Sequence, residues 1–380
     1  MRSLFVGLLV SLICIGSAFA ADEEGFVPMF NGKDLAGWRH VNTHPSTWKV
    51  EGDMLVCSGK PIGELRTLRM YQNFIMELEW RHMVPKGNAG VFVWADDITA
   101  KGQPFHRGIE VQVLENAYGK SNWFTTHGDI FPIHGAKMKP INGRGGGRAF
   151  PTEERSKPSP QWNHYRIECI DGNIKLSVNG KVVTQGTECS PHKGYICLES
   201  EGGIVHYRNV RVKELPGKKV LPAHVAVEER GYRCLYQGID LGGFKVDGDA
   251  KTWQPADWVL KYKGKGGDKL ITDDTFSDYG FLVDVKRGKE TKTVHLGIGG
   301  IDSSINLDSA NEQFAKLLSK PGKWDRIEGV VRGRKVSLTI NGQKVEQVIE
   351  LKNPTANAPF VISASGPIDV TNVYVRDASK

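Results

Sequence analysis

Apolar and polar positions alternate along most of this chain. A period of two is the mark of β-strands with one buried face. Phe74, Met76, Leu78 and Trp80 fall on one face of a run whose other face carries Ile75, Glu77, Glu79 and Arg81. Ile109, Val111 and Val113 likewise oppose Glu110 and Gln112. Asn179-Gly180 and Asn341-Gly342 sit between β-branched runs, the strongest short hairpin signal. Helical spacing is confined to Ser309 to Leu318, with Ala310, Phe314, Leu317 and Leu318 on one side. The pattern predicts an all-β chain of two-sheet sandwiches joined by tight turns, for which its 44 glycines are suited.

The pattern is also written twice. Trp162-Asn163-His164-Tyr165-Arg166-Ile167-Glu168 pairs with Trp324-Asp325-Arg326-Ile327-Glu328, and Asn179-Gly180 pairs with Asn341-Gly342. Earlier, Gly63-Glu64-Leu65 pairs with Gly267-Asp268-Lys269-Leu270, and Glu79 and Arg81 pair with Asp284 and Lys286. The offset falls from 204 at Gly63 to 162 at Trp162, so the first copy holds 42 more residues between shared landmarks. That excess carries much of the polar and histidine-rich chemistry. A duplication that keeps the scaffold and drops one segment points to the segment as the seat of function.

Composition adds compartment and excludes some partners. Arg2, the apolar run Leu4 to Ile15 and Ala18-Phe19-Ala20 read as a secretory leader over residues 1–20. The mature protein is expected to be periplasmic or secreted, with no membrane attachment after leader removal. Without Cys14, five cysteines remain, an odd number, and no CxxC pattern exists. The net charge of +7 is dispersed, without the basic and aromatic clusters that nucleic-acid binding requires. The expected domains are 21–215 and 230–380, joined by a proline-bounded basic linker over 216–229.

Several motifs in order resemble the 3-keto-disaccharide hydrolase family, also described as 3-keto-glucoside 1,2-lyase and 3-keto-2-hydroxyglucal hydratase. They are Phe30-Asn31-Gly32-Lys33-Asp34-Leu35-Ala36-Gly37-Trp38, Glu77 to Arg81, Gly87-Asn88-Ala89-Gly90-Val91-Phe92-Val93, Gly108 to Leu114, Trp162-Asn163 and Tyr207-Arg208-Asn209-Val210. The second copy echoes the opening at Leu235 to Phe244, but no motif there matches the Glu110 to Gln112 strand. The resemblance implies two concanavalin A-like jelly-roll β-sandwich domains in tandem and an oxidised 3-keto sugar, or another carbohydrate, as partner. It also implies elimination across C1 and C2, followed by hydration: a C3 ketone acidifies the C2 proton, so a base, an enolate-stabilising group and an acid are needed. The family pattern has arginine where this chain has Trp94 and aspartate where it has Glu115.

Against that chemistry, Glu110 is the leading carboxylate, with Gln112 beside it to orient the sugar. Together they also suit a divalent cation, although the sequence names no cofactor. Glu79 and Arg81 form a second candidate pair, against the alternative of a salt-bridged surface ladder. His134 is a candidate proton shuttle. His127, Glu115 and Lys139 are further polar contacts in the first-copy excess, and Trp94 and Trp123 are aromatic surfaces for a sugar ring. Two other readings share the fold: a non-catalytic carbohydrate-binding module, and a conventional glycoside hydrolase with two carboxylates across a cleft.

Overall fold

The structure is a computed structural model that describes residues 25–264, 267–300 and 303–378; the expected leader lies outside them. It is all-β, two jelly-roll sandwiches in tandem. The first stacks a nine-stranded sheet on a six-stranded one. The larger sheet centres on Asn73–His82, between Asn163–Ile170 and Val205–Leu215. The smaller runs in the order Trp38–Val41, Gly63–Thr67, Tyr195–Ser200, Asn88–Ala95, Gly108–Leu114, Ile130–Ile133. The second sandwich stacks nine strands on five in the same arrangement.

The alternation explains the packing. Phe74, Met76, Leu78 and Trp80 point inward from the large sheet and meet Leu65, Val91, Val111 and Leu198 from the small one. Each such burial is worth about 1.5–3 kcal/mol against exposure. Asn179 and Asn341 have φ of 47° and 51°, and the glycines after them 85° and 79°. Two successive positive φ values are what a type I′ hairpin turn demands. The predicted helix shrinks to Glu312–Ala315, where the Asn311 side chain caps the first turn and Phe314 is the buried anchor. All five described cysteines are free, and four are buried.

The 42-residue excess straddles both sheets of the first sandwich. It adds Ile130–Ile133 to the edge of the small sheet and Lys137–Pro140 to the edge of the large one. Among the described residues no helix is long and apolar enough to cross a membrane.

The second sandwich grips one loop of the first. Asp284 is fully buried. It accepts from Arg326 Nε and Nη2 at 2.8 and 2.7 Å, from Asn372 Nδ2 at 2.7 Å and from the Gly102 amide at 2.8 Å. Arg326 also donates to Thr99 O at 2.8 Å, and Asn372 to Gln103 O at 3.0 Å. Gly102 has φ +67°, and a Cβ there would stand 2.3 Å from the Trp324 ring, so only glycine admits the approach. The loop between Ala95 and Gly108 is thereby fixed by groups from the other sandwich. Asp284→Ala would strand the Arg326 guanidinium. The expected loss is about 3–5 kcal/mol of unfolding free energy, measured by urea denaturation; a loss under 1 kcal/mol would refute the grip.

Candidate functional site

The outer face of the small sheet is the chemical centre of the first sandwich. Period two sends Leu65, Ile196, Leu198, Val91, Ile109 and Val111 inward. It sends Glu64, Cys197, Glu199, Gly90, Phe92, Glu110 and Gln112 outward. Glu199 and Glu110 lie on the strands either side of Gly90. Glu199 Oε2 and Glu110 Oε1 each lie 3.0 Å from the point where a Gly90 Cβ would stand. The missing side chain is a notch into which both carboxyls lean, so at most about 6 Å separates them.

Both are buried, Glu110 6% and Glu199 1% exposed, and Glu199 Oε2 has no hydrogen-bond partner among the described residues. Burial drives the Glu110 carboxyl well above the usual range, and Glu201, Glu64 and Asp129 add to this against the pull of Arg148. Burial does the same to Glu199, with Glu110, Glu201 and Glu64 reinforcing it. Two carboxyls this close in a dry setting cannot both ionise, so the pair holds at least one proton near neutrality. Glu201, which accepts from the Asn88 amide, is pushed up to about 7 by burial. Gln112 Nε2 donates to Asn88 Oδ1 at 3.0 Å, which orients both amides beside the pair. Arg148 Nη1 is 3.0 Å from Asp129 Oδ2 and its guanidinium lies 3.4 Å over the Phe131 ring.

Next to the pair stands a second group. Glu64, opposite Glu199 on the neighbouring strand, accepts from His106 Nδ1 and, at 3.0 Å, from the His106 amide. Cys197 Sγ is 3.7 Å from the same His106 nitrogen. His134 neighbours this group electrostatically: burial lowers its pKa, with Glu64 opposing and His106 assisting.

The sequence candidates separate. Glu110 and Gln112 share the acidic face, and His134 stands within electrostatic reach of it. Glu79 and Arg81 do not join them, because they lie on the outer face of the other sheet with the core between. Glu79 accepts from Arg208 Nε at 2.8 Å and Asn209 Nδ2 at 2.6 Å; Arg81 stacks on Trp162 at 4.5 Å. That is the salt-bridged ladder. Trp94 is a core residue. Strict alternation would place it beside Phe92, but a bulge with φ 55° turns it inward against Phe74, and its Nε1 donates to Gln72 O at 2.8 Å. Glu115 holds backbone: its carboxylate accepts from the amides of Lys86, Ala117 and Ser159 at 2.8, 2.8 and 3.0 Å. Burial raises its pKa, but those bonds outweigh the effect and leave it lowered. His127 accepts from the Ser156 amide at 3.2 Å, away from the pair. Trp123 is 82% exposed on a loop, and Lys139 is on the edge strand beside Glu188 at 3.2 Å.

Sequence reasoning missed Glu64, Glu199, Glu201, Cys197 and Arg148. Cys197 and Glu199 were legible as the polar phase of Tyr195–Ser200, opposite Ile196 and Leu198. Arg148 gave no signal beyond its glycine-rich surroundings. The second copy does keep a strand where Gly108–Leu114 stands. It is Ser304–Asp308, paired with Thr293–Gly297. There the row reads Ser363, His295, Asn306 where the first copy has Glu199, Gly90, Gln112. The strand is retained; the acids and the glycine notch are not.

The sequence profile of the 3-keto-alpha-glucoside-1,2-lyase-like domain matches residues 25–213. The chain belongs to this family through its first sandwich. A 3-keto-disaccharide hydrolase of Bacteroides thetaiotaomicron is 24% identical over 246 residues, covering 51% of this chain and 80% of that protein. A putative glycosyl hydrolase structure from Parabacteroides distasonis is 21% identical, with TM-score 0.40 and coverage of 51% of this chain and 95% of that one. A carbohydrate binding module from Bacillus subtilis is 15% identical, with TM-score 0.33 and coverage of 47% and 96%. The acidic face thus falls within the lyase-like domain.

The raised Glu201 pKa carries a stability consequence. The folded state keeps this proton up to about pH 7, while the unfolded chain releases it near the ordinary value of 4.5. The Glu201 contribution to wild-type stability therefore falls across that window by about 1.4 kcal/mol per pH unit at most. Glu201→Gln cannot ionise, so its stability relative to wild type should rise from pH 4.5 to 7 and stay level above. Denaturation midpoints of the two proteins at pH 5, 6, 7 and 8 check this; a constant difference would contradict it.

Proposed function

We propose that the first sandwich is a carbohydrate-active hydrolase domain that cleaves glycosides oxidised at C3. The observation that carries the reading is the Glu110 and Glu199 pair at the Gly90 notch. Membership of the family and the relative named for 3-keto-disaccharide hydrolysis support it.

The chemistry follows from a pair that shares a proton. The ionised member takes the proton from C2, which the C3 ketone acidifies. The electron pair of that C–H bond becomes the C1–C2 double bond as the C1–O bond breaks. The protonated member gives its proton to the departing oxygen. Water then adds across the double bond, with the carboxyls exchanging roles. Arg148, whose charge already acts on Glu110, is the cation available to the enolate oxygen. The amides of Asn88 and Gln112 suit sugar hydroxyls. We take residues 21–215 as the catalytic unit and 230–380 as an accessory sandwich. Residues 1–20 direct export, so the exported protein should begin at Ala21 by N-terminal sequencing.

The mature protein should release product from a 3-keto-disaccharide and not from its unoxidised parent. Release from the parent would favour a conventional hydrolase, and binding without release a carbohydrate-binding module. Glu110→Gln should lower kcat/KM on the keto-sugar by about 10²–10⁴-fold; full activity in that variant would remove Glu110 from the mechanism. Gly90→Ala, which fills the notch, should lower kcat by at least about tenfold while the circular dichroism spectrum is unchanged.

A further inference from the structure

The proton-sharing pair does not explain the group beside it. Glu64, His106 and Cys197 come from three separate segments, yet one ligand atom of each lies within 4.8 Å of the other two. All three side chains are wholly buried. Glu64 Oε1 and His106 Nε2 have no hydrogen-bond partner among the described residues. A buried carboxylate oxygen left unpaired is costly, and a cation bound by both oxygens of Glu64 would satisfy it.

Charge points the same way. Glu64, Glu110, Glu199 and Glu201 crowd one desolvated face. Among the described residues neither nearby cation pairs with Glu64: Arg66 pairs with Glu229 and lies over the Tyr195 ring, and Arg148 pairs with Asp129 and acts on Glu110. A proton relieves the Glu110 and Glu199 pair, but Glu64 is left with an imidazole and a thiol. A carboxylate, an imidazole nitrogen and a thiol sulfur are the donor set of a borderline-soft divalent ion. Calcium and magnesium prefer oxygen alone.

We propose that Glu64, His106 and Cys197 bind one zinc-type divalent ion. The ion replaces the proton bridging Glu64 and His106, and it displaces the thiol proton of Cys197, so the sulfur binds as thiolate. Three protein ligands leave a fourth position open to a water molecule. His106 ends the loop that Asp284, Arg326 and Asn372 hold, so the second sandwich delivers one ligand of the site. This gives the divergent copy a task that needs none of the residues it has lost.

The test uses the full mature protein without a histidine tag, loaded with zinc and desalted, with metal measured by mass spectrometry. About one zinc per chain is expected in the wild type. Zinc affinity should be at least tenfold weaker in Cys197→Ser and in His106→Gln, and also weaker in Asp284→Ala. Cobalt loading should give a thiolate-to-metal charge-transfer band that Cys197→Ser abolishes; the wild-type spectrum decides the matter even if a variant fails to fold. Zinc content no higher in wild type than in Cys197→Ser, or cobalt without the thiolate band, would overturn the site. No sugar enters these readings, so their failure leaves the proposed reaction standing, and the reverse holds too.

Discussion

A carboxylate taken out of water must be given hydrogen bonds, a countercharge or a proton. Both sandwiches are organised by how they meet that demand. Asp284 receives four donors, two of them from one guanidinium, and is satisfied completely. Its satisfaction commits part of one sheet face of the second sandwich to the loop between Ala95 and Gly108. Glu110 and Glu199 receive nothing comparable, and burial with mutual repulsion keeps a proton on them. A group held this way is poor for stability and ready for proton transfer.

The two copies therefore divide labour through the same scaffold positions. Asp284, Arg326 and Asn372 in the second copy stand where Glu79, His164 and Asn209 stand in the first. Both asparagines sit at positive φ, 51° and 52°, beside a register shift, so the bulge itself was duplicated. In the first copy this outer face is a surface ladder with Arg208 and Arg211. In the second it is the docking face. The opposite sheet shows the reverse: acids and a glycine notch in the first copy, Ser363, His295 and Asn306 in the second. Each sandwich uses one outer face and leaves the other as surface.

Much of this was legible in the chain. Alternation over 74–81 and 109–114 named the strands and their buried faces, the Asn-Gly pairs named the hairpins, and the repeat named two sandwiches. Glu110 and Gln112 were legible too, because they are the polar phase of a strand whose apolar phase is unambiguous. Trp94 was not, since a bulge at one residue inverts the phase of everything that follows on that strand, and no composition signal marks it. Glu79 and Glu110 read alike along the chain because alternation tells in from out but not which sheet a strand joins.

The chain by itself determined the all-β class, the duplication, the turn positions and the family, because each depends on residues close in sequence or on order along it. The tertiary structure alone decided which polar faces meet. Glu110 and Glu199 are 89 positions apart, and only the strand order brings them to either side of Gly90. Glu64, His106 and Cys197 meet only because a loop gripped by the other sandwich returns over the sheet. Such pairings are set by sheet neighbours and loop closure, which the period of a pattern does not encode.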